Sequence, residues 1–181
     1  MWEQSIALNL EPVELHQLRT LVLGDFGLQY ALYVLKNISA PFVRDLTLMN
    51  MNNEDYSPLA AAMTSAFKDV RLLTLYTFEV DDSPSIRTIC VKWLGSMPQL
   101  RYLKLAQVKA SVVDAFHQVS HEDQDPCGSI PSATVPNPNL TTPQVLCPRL
   151  DVLEYQMIST DIIVSFVLGR QALGVLCERY M

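Results

Sequence analysis

One arrangement of apolar and polar positions, x standing for any residue, occurs five times along the chain: apolar-x-x-apolar-x-apolar. Leu18, Leu21 and Leu23 carry it in LRTLVL; Val43, Leu46 and Leu48 in VRDLTL; Val70, Leu73 and Leu75 in VRLLTL. Leu100, Leu103 and Leu105 carry it in LRYLKL, and Leu150, Leu153 and Tyr155 in LDVLEY. Alternation over so few residues is a strand that buries one side. Between the hexamers the apolar period lengthens. Leu59, Ala62, Met63, Ala66 and Phe67, and then Ile86, Ile89, Cys90, Trp93, Leu94 and Met97, follow the i, i+3, i+4 spacing of a helix. Ser57-Pro58 and Ser83-Pro84 precede these runs, each offering an N-cap residue before a proline suited to the first helical turn. Weaker helices are expected over 27–38, 111–119 and 160–168.

The first positions of the hexamers are 25, 27, 30 and 50 residues apart. Three of these intervals lie at or near the period of leucine-rich repeats, roughly 20 to 29 residues. The flanks agree with a repeat. Arg19, Arg44, Arg71 and Arg101 follow the first apolar position, with Asp151 as the exception, and Phe26, Met51, Phe78, Val108 and Ile158 stand three residues after the last. Familiar repeats place Asn or Cys near that turn, so an apolar column is expected to replace the polar ladder.

A strand-turn-helix unit cannot bury its apolar side alone and must stack on its neighbours. The expected fold class is therefore α/β: a leucine-rich-repeat solenoid of about five units over residues 1–170, a curved horseshoe with parallel strands on the concave face and helices on the convex one. Residues 171–181 are expected to begin an incomplete further unit, with a hexamer starting at Leu173. Ile6, Leu8 and Leu10 alternate like a strand of a preceding unit, and neither end shows a polar cap, which suits a fragment or shortened paralogue of a longer array. The longest interval holds Pro126, Pro131, Pro136, Pro138 and Pro143, so 121–146 is expected to be a loop or disordered insertion. Thr142-Pro143 in it is a possible phosphorylation site.

The residues between the buried leucines point away from the core and form the expected partner-binding face: Val22, Asp45, Thr47, Leu72, Thr74, Tyr102, Lys104 and Glu154, extended by Met49 and Tyr76. Thr20, Val152 and Gln156 belong to the same surface. Apolar and aromatic members would supply contact area and the charged ones specificity.

Bulk properties narrow the partners. The 181 residues are 49% hydrophobic and 18% charged, a globular composition. A net charge of −6, with 13 scattered basic residues, argues against a nucleic-acid backbone or an anionic membrane as partner. No apolar run approaches the roughly 18 residues of a membrane helix, and no secretory signal is visible, so the expected location is cytoplasmic or nuclear with reduced Cys90, Cys127, Cys147 and Cys177.

Candidate chemistry is sparse. His117 and His121 lie near Cys127 but lack a matched fourth zinc ligand, and no nucleophile elbow or phosphate-cradling loop occurs among only six glycines. Asp81-Asp82 reads as a helix-entry pair and Glu122-Asp123 as a solvated loop pair, since nothing apolar nearby would raise a carboxylate pKa. No enzyme, metal or cofactor is expected.

The L-R-x-L-x-L blocks, Cys147-Pro148-Arg149-Leu150 and the helix from Thr160-Asp161 to Leu168 together resemble the leucine-rich-repeat region of fungal F-box proteins. That resemblance spans roughly residues 15–170. It implies a module that presents substrate to a ubiquitin ligase. The 17 residues ahead of the first hexamer are too few for an F-box, so docking on a Skp-cullin ligase is implied only if an F-box lies outside this chain. A structural or degenerate repeat array without its own partner is the alternative function, and an enzyme the least favoured.

Overall fold

A computed structural model describes residues 11–52, 54–81, 83–115, 146–175 and 179–180. The hexamers form strands β2 (Thr20–Gly24), β4 (Asp45–Met51), β5 (Leu72–Phe78), β6 (Tyr102–Ala106) and β7 (Val152–Gln156). Helices follow them: α1 (Leu28–Asn37), α2 (Ser57–Met63), α3 (Pro84–Gly95), α4 (Ala110–Ala115) and α5 (Thr160–Ala172). Two short strands near the start, β1 (Val13–Glu14) and β3 (Ile38–Ser39), pair with each other, and β8 (Arg179–Tyr180) comes last.

The main sheet is parallel and its strands lie in chain order, β2-β4-β5-β6-β7-β8. Register is constant across it. Leu21, Leu46, Leu73, Leu103 and Leu153 sit side by side, as do Leu23, Leu48, Leu75, Leu105 and Tyr155. A slip of one residue would turn every leucine outward, so burial of one side enforces this alignment. Each helix packs on the next, and together they cover the leucine side. The fold is thus α/β with a parallel sheet and one helical layer.

The backbone between units is equally regular. The carbonyl of Arg19 accepts N–H bonds from Arg44 and Asp45, that of Arg44 from Arg71 and Leu72, that of Arg71 from Arg101 and Tyr102, and that of Arg101 from Asp151 and Val152, all at 2.8–3.0 Å. Met51 and Phe78 are fully buried, and Phe26, Val108 and Ile158 pack on the same core. Phe78 meets Trp93 with ring centroids 5.9 Å apart.

Several boundaries differ from the sequence expectation. Ser83 caps α3, its hydroxyl accepting from the Ile86 N–H, but Ser57 is the first residue of α2 rather than its cap. The Asp55 carboxylate takes both the hydroxyl and the N–H of Ser57, leaving that side chain no free role as a cap. The α2 helix stops at Met63, where the Thr64 hydroxyl turns back onto the Ala60 carbonyl at 3.2 Å, and Ala60 rather than Ala62 faces the core.

At the other end, α5 runs four residues past its expected limit. It stops where Gly174, at φ 76°, lets its own N–H reach Gln171 and the Val175 N–H reach Arg170, a Schellman closure. The next strand is correspondingly displaced: Tyr180 lies level with Leu153, four residues later than a hexamer starting at Leu173 would place it. Leu146, expected in the insertion, is buried in the core. The rest of the insertion and residues 1–10 lie outside the described residues.

Candidate partner-binding face

Side chains alternate across a strand, so sealing the leucines under helices leaves the intervening residues on the opposite side. They line up in three rows. Thr20, Asp45, Leu72, Tyr102 and Val152 form the first; Val22, Thr47, Thr74, Lys104 and Glu154 the second; Gly24, Met49, Tyr76, Ala106 and Gln156 the third. Every residue expected on this face is outside the buried core, and Val22 is 55% exposed. Gly24 leaves room for Met49, whose Cγ would lie 2.4 Å from any Cβ added there.

The rows bring some of the expected residues together and separate others. Lys104 Nζ reaches Glu154 at 2.6 Å, and the Tyr102 hydroxyl donates to the same carboxylate. The Lys104 bond, followed by that of Tyr102, holds the Glu154 carboxyl below its ordinary range. In return, donation to Glu154 pushes the Tyr102 phenol up. Tyr76 stands in another row, between Met49 and Ala106. Val22 is four strands from Glu154, roughly 19 Å at the usual strand spacing. The face therefore has one satisfied charge cluster at the β6–β7 side and a mostly uncharged field of Leu72, Thr74, Met49 and Tyr76 beside it.

The hexamer pattern did not disclose the turn that ends this face. Asp25, Asn50, Thr77, Gln107 and Met157, each two residues after the last apolar position, are left-handed, with φ between 48° and 60°. Their side chains link neighbouring units: Asn50 donates to Asp25 at 2.8 Å, Thr77 to Gln107 at 2.9 Å, and Gln107 to the Met157 sulfur at 3.0 Å. A lateral polar ladder thus exists after all, one residue before the apolar column expected to replace it. Asn and Asp at two of the five positions were the available signal, since they tolerate this conformation best.

Arg170 was also missed. It is 1% exposed and donates from Nη1 to the Leu146 carbonyl at 2.9 Å and from Nη2 to that of Cys147 at 3.0 Å, with its guanidinium 5.7 Å from the Phe166 ring centre. It clamps the chain where the fifth unit begins. Cys147 there and Cys90 in α3 are buried free thiols, pushed by burial up to about 12 and about 11. Neither has the exposed, electropositive setting of a reactive thiol.

Away from the sheet face, Glu54, Asp55, Glu79, Val80, Asp81 and Lys109 line an open cleft of about 380 Å³. Burial pushes the Asp55 carboxyl up, but hydrogen bonds from Ser57 and from the Asp81 N–H hold it below its ordinary range. Among the described residues no group of three His, Cys, Asp or Glu side chains is placed to hold a metal, and no helix is long and apolar enough to cross a membrane. His117, His121, Cys127, Asp82 and the Glu122-Asp123 pair lie outside the described residues. Comparison with protein-family models, curated proteins and solved structures finds no match.

Proposed function

We propose that the chain is a leucine-rich-repeat solenoid that binds a protein partner on its open sheet face. The observation that carries this reading is the third side of the molecule's regularity: five strands in constant register present a broad surface that the helical layer leaves uncovered. Aromatic and apolar groups, Tyr76, Tyr102, Leu72, Met49 and Val22, supply contact area there, and Asp45, Thr47, Thr74, Lys104 and Glu154 supply polar selectivity. Helices are about twice as wide as the strand spacing, so stacked units of this kind curve with their strands inside. A concave, partly aromatic face suits another protein better than a small ligand.

Within that reading, the resemblance to fungal F-box proteins makes this the substrate-reading half of a ubiquitin-ligase adaptor. That role requires an F-box elsewhere in the same protein, and reading the gene upstream of Met1 tests it directly. The binding face is tested by replacing Tyr76 and Tyr102 with Ala. The variant keeps its circular dichroism spectrum and loses about tenfold or more of its partner capture. Unchanged capture by a folded variant moves the site off this face, and a stable chain that captures no specific partner favours a structural array.

A further inference from the structure

The arginine after the first apolar position recurs in four consecutive units, and the fold turns this recurrence into a row. Because the carbonyls of Arg19, Arg44, Arg71 and Arg101 are used identically, their backbones stand one strand spacing apart, roughly 5 Å. Four cationic side chains thus span roughly 15 Å along the edge where the strands begin. All four are exposed. Like charges side by side on neighbouring strands repel, so the row opposes folding unless something else compensates.

Little within the chain compensates. Arg19 donates to the His16 carbonyl at 2.8 Å and lies over the Phe42 ring at 5.3 Å, and Arg101 reaches Asp151 only at 4.0 Å. Among the described residues, the side chains of Arg44 and Arg71 make no ion pair or hydrogen bond. The carboxylates of Asp45 and Asp69 flank the row in sequence without pairing to it. Arg149, with Nη1 on Gln99, adds a further cation beyond Arg101. Such a concentration contrasts with the net charge of −6 of the whole chain. Immediately beside Arg71 and Arg101 come Leu72 and Tyr102, neighbours in the first row of the face.

We propose that the arginine row anchors an acidic, extended segment of a partner protein, with Asp or Glu carboxylates on Arg44 and Arg71 and intervening apolar side chains on Leu72 and Tyr102. This rests on the protein-binding reading above and names the class of partner. Guanidinium groups suit carboxylates because their planar forks pair with both oxygens. The apolar strip selects a peptide over a nucleic-acid backbone, and the negative charge of the rest of the chain repels a long polyanion.

Fluorescence anisotropy with a short fluorescein-labelled peptide of glutamate and leucine tests the assignment. The intact chain binds it saturably, more weakly as sodium chloride rises, and does not bind the same peptide with glutamine for glutamate. R44Q/R71Q, two exposed changes checked for folding by circular dichroism, weakens binding about tenfold, whereas R87Q on the exposed side of α3 leaves it unchanged. Equal affinity of R44Q/R71Q and the parent, or no saturable binding, overturns the proposal. Tighter binding of oligodeoxythymidine, lost in the same variant, also overturns it and reassigns the row to nucleic acid. If the Tyr76 and Tyr102 variant loses cellular capture while R44Q/R71Q keeps both capture and peptide, the face stands and the arginine row falls. The opposite pattern keeps the row and removes the face.

Discussion

The units built on β5 and β7 reach the same place in the sheet by different means. In the β5 unit, Val70 is fully buried, Arg71 donates its N–H to the Arg44 carbonyl at 2.8 Å, and the turn into the strand follows directly from α2. The β7 unit comes 50 residues after its predecessor instead of 27, yet Asp151 makes the same bond to Arg101, also at 2.8 Å. What differs is the approach. Leu146 and Cys147 are buried just before β7, Cys147 is left-handed at φ 47°, and their carbonyls depend on a guanidinium from α5. Strand pairing is thus insensitive to what precedes it, because register is set by burial of the leucines. The segment that enters β7 still has to satisfy its buried carbonyls, and here a side chain from the following helix does so.

The largest break in this comparison comes from removing that clamp. Arg170→Ala forfeits two charge-assisted hydrogen bonds and the packing over Phe166, and is expected to cost about 3 kcal/mol in urea denaturation. The Cys147 thiol, now shielded, should then react with a thiol reagent while Cys90 stays protected. A loss below about 1 kcal/mol with Cys147 still protected would show that the segment holds itself in place.

The regular units carry a smaller, opposite liability. Thr77 is β-branched and left-handed at the end of β5, a conformation that costs such a residue about 1–2 kcal/mol. Thr77→Asn keeps a polar side chain near Gln107 and fits the backbone better, so it is expected to stabilise by about 1 kcal/mol, read from the shift in urea midpoint. No gain would mean that the bond to Gln107 at 2.9 Å, rather than the backbone, governs that turn.

The smallest effect joins the two regions, because Glu154 on β7 answers Lys104 and Tyr102 on β6. Its carboxyl is held below its ordinary value of 4.5, so the stability it contributes is complete above that value and is lost as pH falls through the lower folded-state range. The Tyr102 phenol is raised above its ordinary 10.0, so its contribution is present below pH 10 and fades as pH climbs past it. Glu154→Gln should flatten the acid limb of a stability-against-pH curve without moving the neutral plateau by more than about 1 kcal/mol. An unchanged acid limb would assign that sensitivity to other carboxylates, Asp55 first.

How far the pattern of residues led depended on what each position had to satisfy. The strands were legible because one rule, bury every second side chain, applies to all of them: Leu46, Leu73, Leu103 and Leu153 were aligned by spacing alone. The orientation of the ten face residues followed from the same rule, since whatever is not buried on a strand points the other way. Helix ends were less legible. Ser57 has the composition of a cap but stands inside α2, behind Tyr56 and with its hydroxyl held by Asp55, and α5 continues past Gly169 because Gly174 provides the left-handed stop.

The sequence by itself determined the repeat, its α/β class, the apolar column through Met51 and Phe78 and the four recurring arginines. These depend on periodicity, and periodicity survives in one dimension. Only the tertiary structure decided that Glu154 would join Lys104 and Tyr102, that five left-handed residues would carry a lateral ladder, and that Arg170 would be buried against Leu146 and Cys147. The first two link residues from different units, and the third ties a helix back to the approach to its own strand. Whether a polar group finds a partner there depends on which carbonyl or carboxylate the stacked neighbour presents within about 3 Å, a distance that spacing along the chain does not encode.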